Sequence, residues 1–281
     1  MQTKTIPQLL REQAEQHPDT ASQLSREGSG DFVPRSYREL LAEVRRFAAG
    51  LHTLDVQKGA HVGLISENRK EWFVADLAIL SLGGADVPRG NDSMADEIGY
   101  ILSFSGCATV IVENGDQLNK VLSVRDQIPT LKTLILLDEG AQKGEVPGGL
   151  DLMSYSEVCS RGDTVLESDP DLVDRSISAG ERDDTATIIF TSGTTGVPKG
   201  VVLSHDNFLH QVSCIPDRVD LTPGDIWLCV LPVWHSFERI VQYIALGSAT
   251  TLAYSKPIGK VMLEDMAAIK PKWMASVPRI W

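Results

Sequence analysis

A chain of 281 residues, 42% apolar and 23% charged, has the composition of a globular protein with one large or two modest domains. Its net charge of −12 argues against a nucleic-acid partner, which needs a basic footprint, although a local anion site can be positive on an acidic body. No amino-terminal signal-peptide pattern and no apolar run approaching the ~18 residues of a membrane span occurs, so the expectation is a cytoplasmic protein with no transmembrane segment.

In chain order, Ser36-x-x-Glu39 forms a capping box, and Leu40, Val44, Phe47, Ala48 and Leu51 then recur at helical spacing up to Gly59. His61 to Ile65 reads as a buried strand, Trp72 to Leu82 as a helix apolar on most faces, and Ala85 to Val87 as a short strand stopped by Pro88. Ser93 is placed to cap the next helix, with Asp96 and Glu97 favouring its first turn. Thr109 to Val112 predicts a strand, Gln117 to Ile128 a helix, and Thr133 to Leu137 another strand. Short apolar strands alternating with helices indicate an α/β fold with a mostly parallel sheet covered on both sides.

Residues 139–184 are rich in Gly, Ser, Asp and Glu, with one short helical stretch near Ser154 to Cys159, and read as a surface connection. That places a first α/β subdomain at 1–184 and the start of a second at 185–281. Alternation resumes with a strand at Thr187 to Phe190, a helix capped by Ser204 running from His205 toward Ile215, and a strand at Ile226 to Leu231. A helix from Phe237 to Leu246, a strand at Thr250 to Leu252 and a helix from Ile258 to Ile269 follow. Cys107, Cys159, Cys214 and Cys229 have no paired metal or redox spacing and read as small buried hydrophobes.

The run Thr191-Ser192-Gly193-Thr194-Thr195-Gly196-Val197-Pro198-Lys199-Gly200 follows the β-branched strand directly. Its composition alone allows two readings, a flexible turn or a phosphate loop. Glycines let successive N–H groups converge on one anion, hydroxyls add donors or metal ligands, and Lys199 brings a full positive charge. The Walker pattern G-x-x-x-x-G-K-[ST] fails here, because Pro198 stands where its second glycine belongs and Gly200 follows the lysine.

Position by position, the ten residues resemble the signature loop of the adenylate-forming (AMP-binding) superfamily. Leu231-Pro232-Val233-Trp234-His235-Ser236-Phe237-Glu238-Arg239 resembles the motif that follows it, in the form of the long-chain fatty acyl-CoA synthetase branch. Glu67 to Trp72 and Gly83 to Pro88 are similar to that branch as well, so the resemblance runs from about Ser36 to Trp281. Arg89-Gly90-Asn91-Asp92 departs from it, being more charged than the aromatic-rich stretch of many relatives.

The resemblance implies two mostly parallel sheets flanked by helices, as in the amino-terminal domain of these enzymes, broken off before that domain is complete. It implies a ligase that uses ATP with Mg2+ to activate a fatty acid as acyl-AMP and passes the acyl group to coenzyme A. An acyl-AMP or acyl-carrier-protein ligase, or a non-catalytic nucleotide-binding protein, remains open. By the same resemblance Thr191, Lys199 and His235 are the catalytic candidates. Thr191 would lie near the phosphates and metal, Ser192, Gly193, Thr194, Thr195 and Gly196 would form the cradle with Lys199 as counter-charge, and His235 would meet the acid. For His205 a helix-start role and a nucleotide contact stay equally open, and Glu238 and Arg239 read as a local ion pair or solvent-facing residues. The family's Tyr-Gly-x-Thr-Glu and Thr-Gly-Asp segments and its carboxy-terminal domain are not found before Trp281, so the 281 residues alone are expected not to turn over. A fatty substrate would bring the protein to a membrane surface.

Overall fold

The structure is a computed structural model, and it describes residues 3–26, 28, 30–138, 140, 146, 148–191, 197–215 and 219–280. Two sheets organise it. The larger has seven strands in the order β7-β6-β5-β3-β4-β8-β9. These are β3 (His61–Ile65), β4 (Ala85–Arg89), β5 (Thr109–Val112), β6 (Thr133–Leu136), β7 (Asp151–Ser154), β8 (Thr185–Thr191) and β9 (Lys199–Ser204). All neighbours are parallel except the β8–β9 hairpin at one edge. The smaller sheet runs β12-β10-β11-β1-β2, from Trp273–Met274, Ile226–Cys229, Thr251–Tyr254, Ala21–Arg26 and Phe32–Ser36 respectively.

Strands β5 and β6 are buried along their whole length, as continuous Val/Ile/Leu runs must be when helices cover both faces of a parallel sheet. Helix α1 spans Ile6–Gln16, α2 Tyr37–His52 and α3 Lys70–Ser81. From Trp72 to Ser81 every residue of α3 is buried, because it touches β1 of one sheet and β3 and β4 of the other. The Ser36–Glu39 capping box closes the start of α2. Next come α4 (Ala95–Phe104) and α5 (Gly115–Ser123), the latter followed by a 3-10 turn at Arg125–Gln127 instead of continuing to Ile128. Met94, not Ser93, occupies the N-cap of α4; the Ser93 hydroxyl instead accepts from Arg89 Nε at 3.1 Å. Pro88 does not stop its strand, since β4 continues through it to Arg89, with Pro88 opposite Leu64.

Two sequence expectations need correction. The 139–184 stretch, read as a surface connection with one short helix, carries more among its described residues: β7, then α6 (Tyr155–Ser168) and α7 (Leu172–Ala179). Helix α6 packs on α2 through the Tyr155 ring, stacked on Phe47 at 4.7 Å, and through buried Val158, with glycines letting the two backbones approach. A Cβ on Gly162 would fall 1.8 Å from the Arg46 carbonyl oxygen, and one on Gly50 2.0 Å from that of Val158. Arg46 and Asp163 close the crossing with a pair of 2.6 Å bonds. The second correction concerns partition. The sheets do not divide at 184/185: β8 and β9 complete the seven-stranded sheet, while β1 and β2 join the strands after residue 225. Strand partnership is set by long-range pairing, which local composition does not encode. The remaining helices are α8 (His205–Cys214), α9 (Ser236–Gly247) and α10 (Gly259–Ile269). Among the described residues no helix is long and apolar enough to cross a membrane.

Candidate active site

Strand β8 ends at Thr191 and β9 begins at Lys199, and the two residues are direct cross-strand partners. Opposed residues of an antiparallel pair project from the same face, so the hydroxyl and the ammonium are brought together at the base of the loop. Both are exposed. Phe190 faces Gly200 one step down the ladder, and a Cβ there would meet the Phe190 ring at 3.2 Å. Ser192, Gly193, Thr194, Thr195 and Gly196 lie outside the described residues. The hairpin stands where β8 reaches its carboxyl end, the edge at which open α/β sheets bind ligands.

The segment between β10 and α9 is the second component. Asn68, in the turn after β3, holds it from both sides: Nδ2 donates to the Leu231 carbonyl at 2.6 Å and Oδ1 accepts from the Val233 N–H at 2.9 Å. His235 then takes the N-cap position of α9, with its ring exposed and 4.0 Å from that of Trp234. Partial burial and the nearby Arg89 guanidinium lower its pKa, against the opposing pull of Asp92, so the imidazole is neutral near pH 7. Arg89 joins the two components. Its Nη1 donates to the Phe190 carbonyl at 3.2 Å, one residue before Thr191, and its guanidinium lies 5.5 Å from the centre of the Trp234 ring. Thr191 and Lys199 are thus paired across the hairpin, and His235 is linked to that strand indirectly, through Trp234 and Arg89. Sequence reading held Asn68 and Trp234 within motifs but gave neither a role, and noticed Arg89 only as part of a segment more charged than in many relatives.

Glu238 and Arg239 form no local pair and do not face solvent. Both are buried, and the Arg239 guanidinium uses all five N–H groups on Asp76, Asp86, Thr187 and Tyr243. Burial pushes the Asp76 carboxyl up to about 7, with Arg239 opposing and the Asp86 charge reinforcing the rise. Burial likewise raises Glu238 to about 7. The available signal was a lone aspartate in each of two apolar elements, α3 and β4. Cys107, Cys159 and Cys229 are buried as expected, whereas Cys214 is exposed on α8.

His205 belongs to the core. Its Nδ1 accepts from the Ile6 N–H at 3.3 Å, and desolvation lowers its pKa to about 4, opposed by Asp184 and assisted by Arg239 and Lys58. A depressed folded pKa contributes stability that is complete above the unfolded value of 6.5 and lost as pH falls through about 4. Chemical denaturation of wild type and His205→Asn is therefore expected to show a stability difference that is flat above pH 7. Between pH 6.5 and 4 it should shift against wild type, by roughly 2–4 kcal/mol in total. A pH-independent difference would contradict this assignment.

The chain belongs to the AMP-binding enzyme family, which it matches over residues 10–281. It is 30% identical over 283 residues to the chloroplastic long-chain-fatty-acid–[acyl-carrier-protein] ligase AEE15 of Arabidopsis thaliana, covering 99% of this chain and 38% of that protein. It is 29% identical over 285 residues to the long-chain-fatty-acid–CoA ligase ACSBG2 of Xenopus laevis, covering 99% of this chain and 37% of that one. The chain therefore spans less than two-fifths of the length of these relatives. Its fold matches the N-terminal domain of FACL13 from Mycobacterium tuberculosis with a TM-score of 0.79 at 23% identity, covering 99% of this chain and 64% of that one.

Family membership implies ATP, and the described residues fit a polyphosphate. An exposed lysine and an exposed hydroxyl sit in register at the two ends of the loop, and no carboxylate is paired with that lysine among the described contacts. No cluster of three or more His, Cys, Asp or Glu side chains that could hold a metal ion occurs among the described residues.

Proposed function

We propose that this chain supplies the phosphate-binding side of an ATP-dependent fatty acid ligase. A carboxylate is a poor electrophile, because oxide would have to leave. In the proposed reaction a carboxylate oxygen attacks the α-phosphorus of ATP, the bond to the bridging oxygen breaks, and pyrophosphate departs with its electron pair. Attack by a thiol on the acyl-AMP then forms a thioester and releases AMP. The first step needs charge neutralised on the phosphates more than it needs a proton moved. Lys199 provides the counter-charge, Thr191 a hydroxyl toward the phosphates and Mg2+, and His235 a neutral ring beside the carboxylate. The observation that carries this reading is the Thr191–Lys199 pairing at the carboxyl end of β8, with His235 linked to it through Arg89.

The thiol is proposed to be that of coenzyme A. The matched ACSBG2 is named as a CoA ligase, while the matched AEE15 is named as an acyl-carrier-protein ligase, which makes the carrier protein the second reading. Because these relatives are more than twice as long, the activity is proposed for the polypeptide that carries this segment. The 281 residues by themselves are expected not to turn over. We place the activity in the cytoplasm, at membrane surfaces where fatty substrates partition. The test is thioester formation from palmitate and ATP by that polypeptide, with coenzyme A or holo acyl carrier protein as acceptor. Product with coenzyme A supports the first reading, and product with the carrier protein alone transfers the assignment to the second. Absence of acyl-AMP with either would leave a nucleotide-binding protein without ligase activity.

A further inference from the structure

We infer that Arg89 is a positioning residue for this chemistry, fixing the His235 segment against the strand that feeds the phosphate loop. The inference rests on the ligase reading above and deepens it. Among the described residues the β4–β8 ladder has a single register pair, Asp86 with Thr187, and beyond it Pro88 has no N–H to give. Where backbone pairing lapses, the Arg89 side chain takes over by bonding the Phe190 carbonyl. Its other nitrogens are fixed by the Ser93 hydroxyl and the Glu97 carboxylate, so the planar fork has one orientation. That orientation lays its cationic face on Trp234, whose ring touches His235. Gly90 completes the seat. A Cβ there would lie 2.3 Å from Trp234 Nε1, so the indole rests directly on the backbone and any side chain at 90 would lift it. The charged segment that departs from the family pattern therefore connects two parts of the site.

A lysine at 89 keeps the charge but loses both the fork and the flat stacking surface. Fatty-acid-dependent exchange of pyrophosphate into ATP by the polypeptide carrying this segment separates the possibilities. For Arg89→Met, kcat is expected to fall about 100-fold, the scale of a misplaced reacting group, with KM for ATP changed by no more than about threefold. Arg89→Lys should not rescue it. Trp234→Leu, which keeps the arginine's hydrogen bonds, should reproduce the kcat loss and carries the test should Arg89→Met not fold. The double variant should be no worse than the weaker single, since both remove one coupled contact. Rescue by lysine, a loss confined to KM for ATP, strictly additive losses, or wild-type kcat in the variants would each overturn the positioning role. A wild-type protein with no carboxylate-dependent exchange would instead overturn the ligase reading and this inference with it.

Discussion

Replacing Arg239 by methionine is expected to destabilise the fold by about 3–5 kcal/mol, the cost of leaving a buried ion pair with one partner missing. The setting is severe, because Arg239, Asp76 and Asp86 are each 0% exposed and one guanidinium serves both carboxylates. It bonds both oxygens of Asp86 at 2.7 and 2.8 Å, while the Tyr243 hydroxyl donates to Asp76 at 2.8 Å. The rings of Trp72 and Phe208 enclose the cation at 5.2 and 5.8 Å, so water cannot take the arginine's place without opening the packing between α3, α8 and α9. Loss of the guanidinium strands two like charges in a low-dielectric space. The triple variant with Asp76→Asn and Asp86→Asn removes those charges and should recover part of the loss. Urea denaturation of the three proteins measures it; a loss below about 1 kcal/mol for Arg239→Met would mean that the cluster is hydrated and weakly coupled.

That cluster also shows how far local sequence reaches. Elements with a strong period were legible: β3, α3 and β5 follow from continuous apolar runs, and α2 and α8 from their caps. Strands β1 and β2 were not read, because ASQLSR and FVPRS are too polar to stand out, and they exist through pairing with β11 and with each other. Helix α6 was underestimated because its buried face, Tyr155, Val158, Cys159 and Gly162, is short and partly small, relying on close backbone approach at Gly50 and Gly162 beside the Phe47–Tyr155 stack. In the candidate site, the residues at the ends of the loop and His235 were visible as motif positions. What connects them was not. Arg89 acquires a role only when the Phe190 carbonyl and the Trp234 ring are seen on either side of it.

Substituting Lys199 by alanine is expected to lower kcat/KM for fatty-acid-dependent pyrophosphate exchange by about 100- to 1,000-fold in the polypeptide carrying this segment. That is the scale for removing one preorganised group facing developing charge, about 3–4 kcal/mol. At an effective dielectric near 20, a unit charge about 4 Å from a phosphate contributes roughly 4 kcal/mol, so the estimate does not ask more of one lysine than electrostatics allows. Stability should barely change, within about 0.5 kcal/mol, because Lys199 is exposed at the start of an edge strand. Lys199→Arg should retain part of the activity, since charge is kept while geometry shifts. A tenfold loss or less for Lys199→Ala with normal folding would move the counter-charge to another residue.

In the proposed function the β8–β9 hairpin and the segment ending at His235 together form the acyl-adenylating end of a ligase. The most direct measurement is incorporation of radiolabelled pyrophosphate into ATP by the polypeptide carrying this segment, with and without palmitate. Exchange that requires both palmitate and Mg2+, and that Lys199→Ala lowers about 100- to 1,000-fold, is the predicted result. Absence of exchange from a folded protein that binds ATP, or exchange indifferent to the fatty acid, would contradict it.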